Sequence, residues 1–488
     1  MTEDLGLLAA RARQRHVVVV GGGVSGLVAA LEFAKVGVQV TVLEASDRLG
    51  GVIRSAEVAG LTLDVGAESY ATRGGTVRAL VDELGLADAV TTPNPAGAWV
   101  AGLPGGGAAP LPSGSILGIP ANPWAPDVRR VIGWSGVWRA YVDRLRPPLT
   151  IGHQHSLGAL VRSRMGAKVL DRLVAPVTTG VYSARPDDID VDLAAPGLNA
   201  ALTRTGSLSG AVTDLRGART AAPGSAVEGI AGGMGRLVDA LAARLRERGV
   251  EVRTGAEVTA LLPNASPDAP AWTVVLPDGE QLPADAVLVA LPEAPARALL
   301  SPVADGLSPD AEPGPVVEVI TLVVGGAAAL DAHPRGTGVL TVPGSGAAKA
   351  LTHSTAKWRW LADAGEPGVH VLRVSFGAQG EEPATAGMND ADAARLALSE
   401  ASALLGVPLV STQLRGARRE RYAQAQPGTA IGRAASTATA RAAVRAVPGL
   451  GVSGAWVAGT GLAQVVPDAR AEADRLRSAV LWTDTHPA

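Results

Sequence analysis

The feature that most constrains the fold of this chain is a glycine-rich turn between a strand and a helix near its start. Residues 16–20 are a short β-branched run typical of a buried parallel strand, and residues 27–36 place apolar side chains at helical spacing. The turn between them spans residues 21–26, and a second strand is predicted over 38–43. Strand, helix and strand in this order predict a βαβ unit at the start of a parallel sheet.

The turn has the spacing of a dinucleotide-binding site, Gly21-x-Gly23-x-x-Gly26. Glycines in such a turn allow it to be tight, let the backbone approach a pyrophosphate and let helix and strand pack closely. The free N–H groups at the helix start then face the phosphates. Glu44 ends the second strand, where its carboxylate accepts hydrogen bonds from a ribose diol. An acidic residue there argues against NADP, whereas FAD and NAD both remain open from these residues.

Composition excludes several classes of function. At 488 residues the chain exceeds one simple core, and its 47% apolar and 18% charged residues favour a compact protein of two or more lobes. A net charge of -3 gives no reason to expect a nucleic-acid partner. The absence of cysteine excludes disulfides, Cys-ligated zinc, iron–sulfur clusters, thiol catalysis and flavin attachment through sulfur.

No targeting or membrane-spanning segment is predicted. Residues 1–15 lack the apolar region and cleavage site of a signal peptide. The apolar run over 17–42 is interrupted by three glycines, Glu32 and Lys35, so it is not a membrane span. We therefore expect a cytoplasmic protein, and peripheral membrane contact stays open.

The rest of the chain carries a coarser pattern. Glycine and proline predict loops and turns over 96–126 and a loop-rich zone over 186–225. We interpret arginines within a helical pattern over 127–174 as a solvated helical face; they are Arg129, Arg130, Arg139, Arg144, Arg146, Arg162 and Arg164. Further predicted elements are an amphipathic helix over 236–248, a strand covered on both faces over 286–291, strands between 316 and 374, and helices over 391–405 and at the C-terminus.

A longer motif selects the cofactor by resemblance. Glu44-x3-Arg48-x-Gly50-Gly51 resembles the E-x3-R-x-G-G signature of FAD enzymes typified by amine oxidases, phytoene desaturases and protoporphyrinogen oxidases. Val258, in a predicted strand, is similar to the position whose backbone contacts adenine in that group. Residues 459–462 resemble its C-terminal G-V-G-I turn, which meets the isoalloxazine and opens the last helix.

The resemblance implies an α/β fold with a Rossmann-like FAD-binding domain assembled from discontinuous segments, a substrate domain of mixed sheet plus helices, and a helical insertion. The implied division is FAD-binding over 1–95, 221–300 and 446–488, a helical substrate insertion over 96–220 and a substrate domain over 301–445. The residues predicted to bind FAD are Gly21, Gly22, Gly23, Val24, Ser25, Gly26, Glu44, Ala45, Arg48, Gly50, Gly51, Val52, Gly66, Ala67, Glu68, Ser69, Val258, Gly459, Thr460, Gly461 and Leu462.

Four further segments resemble the protoporphyrinogen/coproporphyrinogen oxidase family. Residues 64–69 are similar to its G-[AP]-[DE]-S segment beside the flavin, and residues 156–166 to its S-L-G-x-F/L-x-R-R-x-G helix. Residues 173–187 match L-x-x-P-x-x-x-G-V-Y-x-x-x-P-x, and residues 354–358 resemble S-S-x-K-W with threonine at the second serine. The order of these four segments along the chain and the spacing of the matching residues within them together carry this resemblance.

The resemblance implies a porphyrinogen substrate that loses six electrons and six protons to FAD in three steps, with O2 as acceptor and H2O2 as product. The flavin then carries the chemistry, and no catalytic side chain is assigned. The family inference favours coproporphyrinogen III as substrate, as in the Gram-positive-type haem pathway. The alternatives are protoporphyrinogen IX, an amine or carotenoid donor, and a catalytically silent relative that binds FAD or porphyrin. Oligomeric state is open between monomer and homodimer.

Cations should bind the propionates of such a substrate. Arg73 aligns with a basic position of the family, with an exposed helix-start arginine as the alternative, and Lys349, Lys357 and Arg373 are further candidates. No metal site is predicted. His153 and His155 are the only neighbouring histidines, and zinc would need at least one further ligand.

The C-terminal segments depart from the family pattern. Thr460 replaces the usual valine, Ala463 stands where proline is common, and Pro467 falls early in the last helix. Because proline is tolerated only in a first turn, we expect a shifted helix start. Residues 421–428 resemble W-x-x-A-L-P-Q-Y only loosely, and Gly432-Arg-Ala stands for the usual G-H-L.

Overall fold

The computed structural model describes residues 2–146, 155–217, 226–266, 269–423 and 429–482. The strands in these residues are β1 (His16–Val20), β2 (Gln39–Glu44), β3 (Ser55–Val58), β4 (Leu61–Asp64), β5 (Tyr70–Ala71), β6 (Val90–Thr91), β7 (Ala98–Leu103), β8 (Gly107–Pro110), β9 (Ser115–Ile116), β10 (Ile119–Pro120), β11 (Val227–Ile230), β12 (Glu251–Thr254), β13 (Ala260–Pro263), β14 (Trp272–Val275), β15 (Gln281–Ala284), β16 (Ala286–Val289), β17 (Val316–Gly325), β18 (Gly338–Thr341), β19 (Ala350–His353), β20 (Val369–Phe376), β21 (Leu414–Ala423) and β22 (Leu450–Val452).

Helices separate many of these strands along the chain. They are α1 (Thr2–Gln14), α2 (Val24–Lys35), α3 (Thr76–Glu83), α4 (Pro126–Tyr141), α5 (Leu157–Met165), α6 (Ala167–Val169), α7 (Ala175–Tyr182), α8 (Val191–Ala194), α9 (Leu198–Thr205), α10 (Leu208–Arg216), α11 (Gly235–Glu247), α12 (Glu293–Leu300), α13 (Ser354–Lys357), α14 (Arg359–Ala364), α15 (Asp390–Leu405), α16 (Arg433–Arg445), α17 (Ala455–Ala458) and α18 (Leu462–Trp482).

A five-stranded parallel sheet forms the centre of the dinucleotide unit. Its order is β12-β2-β1-β16-β22, and every neighbouring pair is parallel. Val17–Val20 of β1 are buried because the sheet is covered on both faces. The strands come from chain segments between residues 16 and 452, which confirms the predicted assembly from discontinuous segments. The division at 95, 220, 300 and 445 itself stays a prediction.

Helices bury the two faces of this sheet. On one face α2 packs against α11 and α18, and their core includes Leu27, Phe33, Leu241 and Leu476. On the other face Trp272 lies in a separate core with residues of α12 and α16. Because the strands are parallel, their carboxyl ends lie at the same edge of the sheet as the glycine turn that follows β1.

A seven-stranded mixed sheet forms the second lobe, in the order β21-β17-β20-β19-β18-β7-β8. α15 covers one face, where Leu372 and Phe376 are buried. The prediction of loops over 96–126 was wrong, because β7 pairs in parallel with β18 inside this sheet. Glycine and proline there mark the tight turn after β7, not the absence of strands.

Residues 126–146 and 155–216 form a helical layer with its own core. The predicted loop-rich zone over 186–225 was wrong for residues 191–216, which form α8, α9 and α10. These helices are short, and side chains cap the first and third of them: Asp190 accepts from the amides of 192 and 193, and Ser207 accepts from Gly210. Asp190 and Ser207 therefore act at the first turns of helices within the predicted loop zone.

One arginine of the predicted solvated face is buried. Arg164 is 4% exposed, and its Nε lies 3.2 Å from Oδ1 of the fully buried Asp143. Asp143 also accepts a hydrogen bond from the amide of Leu208 at 2.6 Å. The interpretation as a solvated face was wrong for Arg164, because its partner lies on a neighbouring turn that the helical pattern does not reveal.

Two smaller predictions also need correction. Val258 lies between β12 and β13 and not in a strand. The last helix does not start late: α18 begins at Leu462 and contains Pro467 in its second turn. Within the described residues, no helix combines the length and apolar character that a bilayer span requires.

Candidate active site

The glycine turn after β1 leaves room for a ligand beside one glycine and none beside the others. A Cβ on Gly21 would lie 2.5 Å from the carbonyl oxygen of Ala290, and one on Gly26 would collide with the carbonyl oxygen of Gly21. A Cβ on Gly23 would meet no atom within 4 Å. Gly23 is also the N-cap of α2, so the open space lies where the helix amides point.

Glu44 is bound to the turn itself. Its Oε2 accepts a hydrogen bond from the amide of Gly22 at 2.7 Å, and its Oε1 accepts from the amide and hydroxyl of Ser46. The amide of Gly50 donates to the carbonyl of Gly22 at 2.9 Å. These hydrogen bonds hold Glu44 and the Gly50-Gly51 pair against the glycine turn of residues 21–26.

The segment before Val258 reaches the same place. The amide of Ala256 donates to the Glu44 carbonyl at 2.8 Å, and the amide of Gly255 donates to the Ser46 carbonyl at 2.8 Å. Val258 is half-buried and packs against the core that contains Trp272. Although Val258 is not in a strand, the structure brings its segment beside Glu44.

The C-terminal segment is joined to the first turn by a chain of polar contacts that the sequence did not reveal. The hydroxyls of Ser25 and Ser453 lie 2.7 Å apart, and Ser453 donates to Asp468 at 2.9 Å. Asp468 also pairs with Arg441 at 2.6 Å. Gly459 and Gly461 adopt positive φ values of 102° and 95°, which favour glycine and form the turn before α18.

Glu68 lies at the centre of a charged cluster beside the glycine site. Its carboxylate pairs with Lys357 at 2.5 Å and with Arg373 at 2.9 Å. Burial opposes the ionisation of Glu68, but the two cations outweigh it and lower its pKa from 4.5 to about 2. One carboxylate faces two cations, so the cluster keeps a positive charge.

Arg373 and Tyr422 fix the backbone next to Glu68. The guanidinium of Arg373 donates to the carbonyls of Val65 and Gly66, and the Tyr422 hydroxyl donates to Val65 at 3.0 Å. Burial raises the pKa of Tyr422 to about 12, so it stays a donor at neutral pH. A Cβ on Gly66 would collide with the carbonyl oxygen of Val52. Glycine at this position therefore allows the backbone at residue 66 to lie against the backbone at residue 52.

Comparison with known proteins decides the family. A family model described as flavin containing amine oxidoreductase matches residues 24–477. The chain belongs to the flavin-containing amine oxidoreductase family.

Two relatives refine this placement. The chain is 32% identical over 466 residues to coproporphyrinogen III oxidase of Mycobacterium bovis, covering 92% of this chain and 94% of that protein. It is 29% identical over 504 residues to coproporphyrinogen III oxidase of Propionibacterium freudenreichii, covering 96% and 91%. This flavin oxidoreductase therefore groups with the protoporphyrinogen/coproporphyrinogen III oxidases, as the sequence predicted.

Solved structures agree on the fold. A protein of Exiguobacterium sp. 255-15, provisionally named a protoporphyrinogen oxidase, superposes with a TM-score of 0.81 at 24% identity, covering 95% of this chain and 98% of that one. Putrescine oxidase superposes with a TM-score of 0.60 at 17% identity, covering 96% and 99%. The fold class, the FAD cofactor and the assignment as an oxidoreductase are confirmed.

The glycine turn, Glu44, Gly50 and the segment before Val258 lie together at the carboxyl end of the parallel sheet. The open space at Gly23, the helix amides behind it and the acidic Glu44 fit a dinucleotide diphosphate and its ribose. Arg48 is half-buried, and its charge acts on the pKa of Tyr422. The roles of the individual residues stay predictions.

The four cations predicted to meet substrate differ in their surroundings. Lys357 and Arg373 are paired with Glu68, and Lys349 is buried. Arg73 is exposed in the turn before α3 and forms no ion pair with a described residue. Its charge acts on the pKa of Tyr182 at the end of α7. Arg73 is therefore the most accessible of the four.

Lys349 is held by a hydroxyl rather than a carboxylate. Its Nζ donates to the Ser183 hydroxyl at 2.5 Å, and Ser183 has a positive φ of 54° at the end of α7. Burial lowers the pKa of Lys349 from 10.5 to about 7. The amine therefore gains a proton in the folded state only below about pH 7.

Replacing Lys349 by methionine should stabilise the protein at pH 6. The pKa of this lysine is lower in the folded state, so the unfolded state binds more protons between pH 7 and 10.5 and wild-type stability rises across that window. Below pH 7 the burial penalty, on the order of a few kcal/mol, is fully present. Urea denaturation of K349M and wild type from pH 6 to 10 measures the difference, which should shrink as pH rises.

The control is K168M, because exposed Lys168 also donates to a serine hydroxyl, Ser135, at 2.6 Å. It should leave the pH dependence unchanged. A K349M curve parallel to that of wild type would contradict the assignment.

Histidines gather at a place that spacing along the chain did not indicate. The ring nitrogens of His353 and His370 lie 3.2 Å apart, and His370 lies 3.1 Å from Asp331. Burial lowers the pKa of His353 to about 3, so it stays neutral.

His155 lies 3.6 Å from Asp190, while His153 falls outside the described residues. Across the described part of the chain, no group of three His, Asp or Glu residues is arranged to hold a metal.

Proposed function

We propose that this flavin oxidoreductase converts coproporphyrinogen III to coproporphyrin III. The observation that carries the proposal is the 32% identity, over 92% of the chain, to a protein of that name. The exposed Arg73 and the positive cluster of Lys357 and Arg373 around Glu68 support it, because the substrate carries four propionates. Both lie beside the segment predicted to meet the flavin.

The proposed reaction balances with oxygen as acceptor. Oxidising the macrocycle removes six electrons and six protons, which three O2 molecules take up to give three H2O2. Bound FAD supplies the two-electron oxidation, and the protein supplies placement and electrostatics. No described side chain needs to form a covalent bond with the substrate.

The chain's own residues have positioning roles in this proposal. The amides at Gly23 and the start of α2 would bind the diphosphate, and the carboxylate of Glu44, held by the Gly22 amide, would orient the adjoining ribose. Arg373 and Tyr422 hold the backbone of residues 65–66, which would contact the flavin when it is bound. Arg73 binds a propionate at the pocket mouth. We further propose that the protein acts in the cytoplasm.

The test starts from the purified holoenzyme. Its visible spectrum identifies the flavin, and porphyrin fluorescence is followed after coproporphyrinogen III is added in air. We expect fluorescence growth with three H2O2 per porphyrin and a kcat/KM about tenfold above that for protoporphyrinogen IX, which has two fewer propionates. Bleaching of the flavin by an amine or a carotenoid precursor alone would overturn the proposal, as would a flavin that no donor reduces.

Replacing Arg73 by alanine should raise KM for coproporphyrinogen III about fivefold and leave kcat nearly unchanged. An exposed cation paired with a carboxylate contributes on the order of 1 kcal/mol to binding, and Arg73 does not approach the reacting carbons in this proposal. Steady-state kinetics measure the split. R359A, at a 93% exposed arginine of α14, serves as the control and should change neither parameter. An unchanged KM in R73A would assign the propionate to another cation.

A further inference from the structure

Within the described residues, a buried amine at the end of α7 has a hydroxyl as its partner and no carboxylate. Lys349 is 8% exposed, and its Nζ donates to the buried hydroxyl of Ser183 at 2.5 Å. No charged group of a described residue shifts the pKa of this amine, which burial alone lowers to about 7. Because a buried ammonium without a carboxylate is costly, the surroundings favour the neutral amine. Lys349 therefore has a free lone pair above about pH 7.

Contacts within the backbone hold Ser183 in place. It has φ 54° and ψ 30°, a left-handed conformation that a residue other than glycine rarely adopts. Its amide donates to the carbonyl of Thr179 at 3.1 Å, and its carbonyl accepts from the amide of Gln379 at 2.5 Å. A conformation of this kind persists only where the surrounding structure imposes it, and such conformations cluster at functional sites. The hydroxyl is thereby fixed against the amine.

Two connections place the amine beside the segment predicted to meet the flavin. The amide of Lys349 donates to the carbonyl of Ser375 on β20 at 2.9 Å, two positions from Arg373. The guanidinium of Arg373 holds the backbone of that predicted segment. The charge of Arg73 acts on the pKa of Tyr182, which directly precedes the serine partner of the amine. Lys349 therefore neighbours both the cation cluster and the exposed arginine that support the proposed function.

Lys349 is the ionisable group at this place whose pKa burial moves into the neutral range. The neighbouring elements carry Tyr182 on α7, His353 on β19, His370 and Arg373 on β20, Glu381 after β20 and Glu400 on α15. Burial raises the pKa of the tyrosine and lowers the pKa of both histidines, so these three are neutral at pH 8. The carboxylate of Glu400 accepts from the amide of Ala348 at 3.0 Å. A pKa close to 7 at this place therefore belongs to Lys349.

We propose that Lys349 is a catalytic residue that accepts the protons released by the porphyrinogen. The inference rests on the proposed function. In each of the three steps a C–H bond at a bridge carbon breaks, and the hydride leaves with both electrons in the FAD-dependent oxidation. The macrocycle is left with a positive charge shared with a pyrrole, whose N–H bond then breaks. Its electron pair stays in the ring, and its proton joins the lone pair of Nζ.

The proposed step balances with oxygen as acceptor. Three hydrides and three protons together make up the six electrons and six protons that the macrocycle loses. Each O2 takes up one hydride and one proton to give H2O2, so Nζ releases its proton before the next step. An amine that titrates near pH 7 both accepts and releases a proton under these conditions. An arginine at this position would not, because a guanidinium stays protonated.

Replacing Lys349 by methionine should lower kcat for coproporphyrinogen III about 100-fold and leave KM nearly unchanged. Wild-type kcat should fall below about pH 7, where the amine is protonated, and K349M should lose this pH dependence. K349R should not restore kcat, because a guanidinium accepts no proton. Porphyrin fluorescence measured from pH 6 to 9 gives the rates. Fluorescence titration with coproporphyrin III gives the product affinity, which should be the same in wild type, K349M and K349R.

A matched control and a binding measurement make the test decisive. K168M, at the exposed lysine that donates to Ser135, should keep the wild-type kcat and pH profile. Flavin content and thermal midpoint verify that each variant is folded. Wild-type kcat in K349M overturns the inference. So does a product affinity that K349M loses and K349R restores, because Lys349 would then hold a propionate. Both outcomes leave the proposed function standing, whereas a wild type that forms no porphyrin overturns that function and this inference with it.

Discussion

Replacing Gly23 by alanine should give a folded protein that has lost most of its affinity for FAD. Gly23 has φ −70° and ψ 170°, a conformation open to alanine, and a Cβ there would meet no protein atom within 4 Å. The methyl group would instead fill the space that faces the amides of the helix start. Losing charge-assisted hydrogen bonds to a diphosphate costs about 3 kcal/mol, or about 100-fold in affinity. Flavin absorbance and calorimetric titration of the apoprotein with FAD measure the change.

Two other glycines make the interpretation of G23A specific. G26A forces a Cβ into the carbonyl oxygen of Gly21 and should destabilise the apoprotein itself. G6A, inside α1 with no atom within 4 Å of its Cβ, should leave FAD affinity unchanged and raise stability by about 1 kcal/mol at most, through the higher helix propensity of alanine. If G23A bound FAD as tightly as wild type, the diphosphate would lie elsewhere and the porphyrinogen proposal would lose its foundation.

Replacing Glu68 by glutamine should lower the free energy of unfolding by about 3 kcal/mol at neutral pH. The substitution leaves the half-buried Lys357 and the buried Arg373 without the carboxylate that balances them. It also weakens the link from Arg373 to the carbonyls of residues 65 and 66, and if those residues contact FAD as predicted, flavin retention should fall as well. Urea denaturation of the FAD-saturated protein measures the loss.

The pH dependence of E68Q provides an independent check. The folded-state pKa of Glu68, about 2, lies below the ordinary value of 4.5. Its contribution is therefore fully present above pH 4.5 and is lost as pH falls toward 2. The stability difference between wild type and E68Q should shrink over that window.

E280Q is the matched control for E68Q. It removes the carboxylate of the exposed Arg253–Glu280 pair, where solvent screening makes the loss small. A Glu68 effect no larger than that of E280Q would show that Lys357 and Arg373 are stabilised by other groups.

Elements with a strong local pattern were predicted correctly from the sequence. The run of valines before Gly21, the helix that follows it and Glu44 at the end of β2 are all where the pattern places them. The helix over 235–247 likewise follows its amphipathic spacing. Such patterns succeed because the residues that determine each conformation are within a few positions of one another.

Elements whose conformation depends on distant partners were predicted less well. β7 lies in a glycine-rich stretch, but β18, far along the chain, supplies its hydrogen-bonding partner. Pro467 stays inside α18, where the predicted start would have excluded it. Arg164 has the same local surroundings as its solvated neighbours, yet Asp143 holds it in the interior. In each case tertiary pairing overrides local preference.

The glycine turn and the acidic residue after it predicted a dinucleotide site in a parallel sheet from the sequence alone, because turn geometry and acidic spacing are local properties of the chain. The resemblance of the longer motif then selected FAD. Only the tertiary structure decided which charges are available. It paired Lys357 and Arg373 with Glu68, buried Lys349 against Ser183 and left Arg73 exposed. Electrostatic availability depends on burial and on partners remote in sequence, and these exist only once the chain is folded.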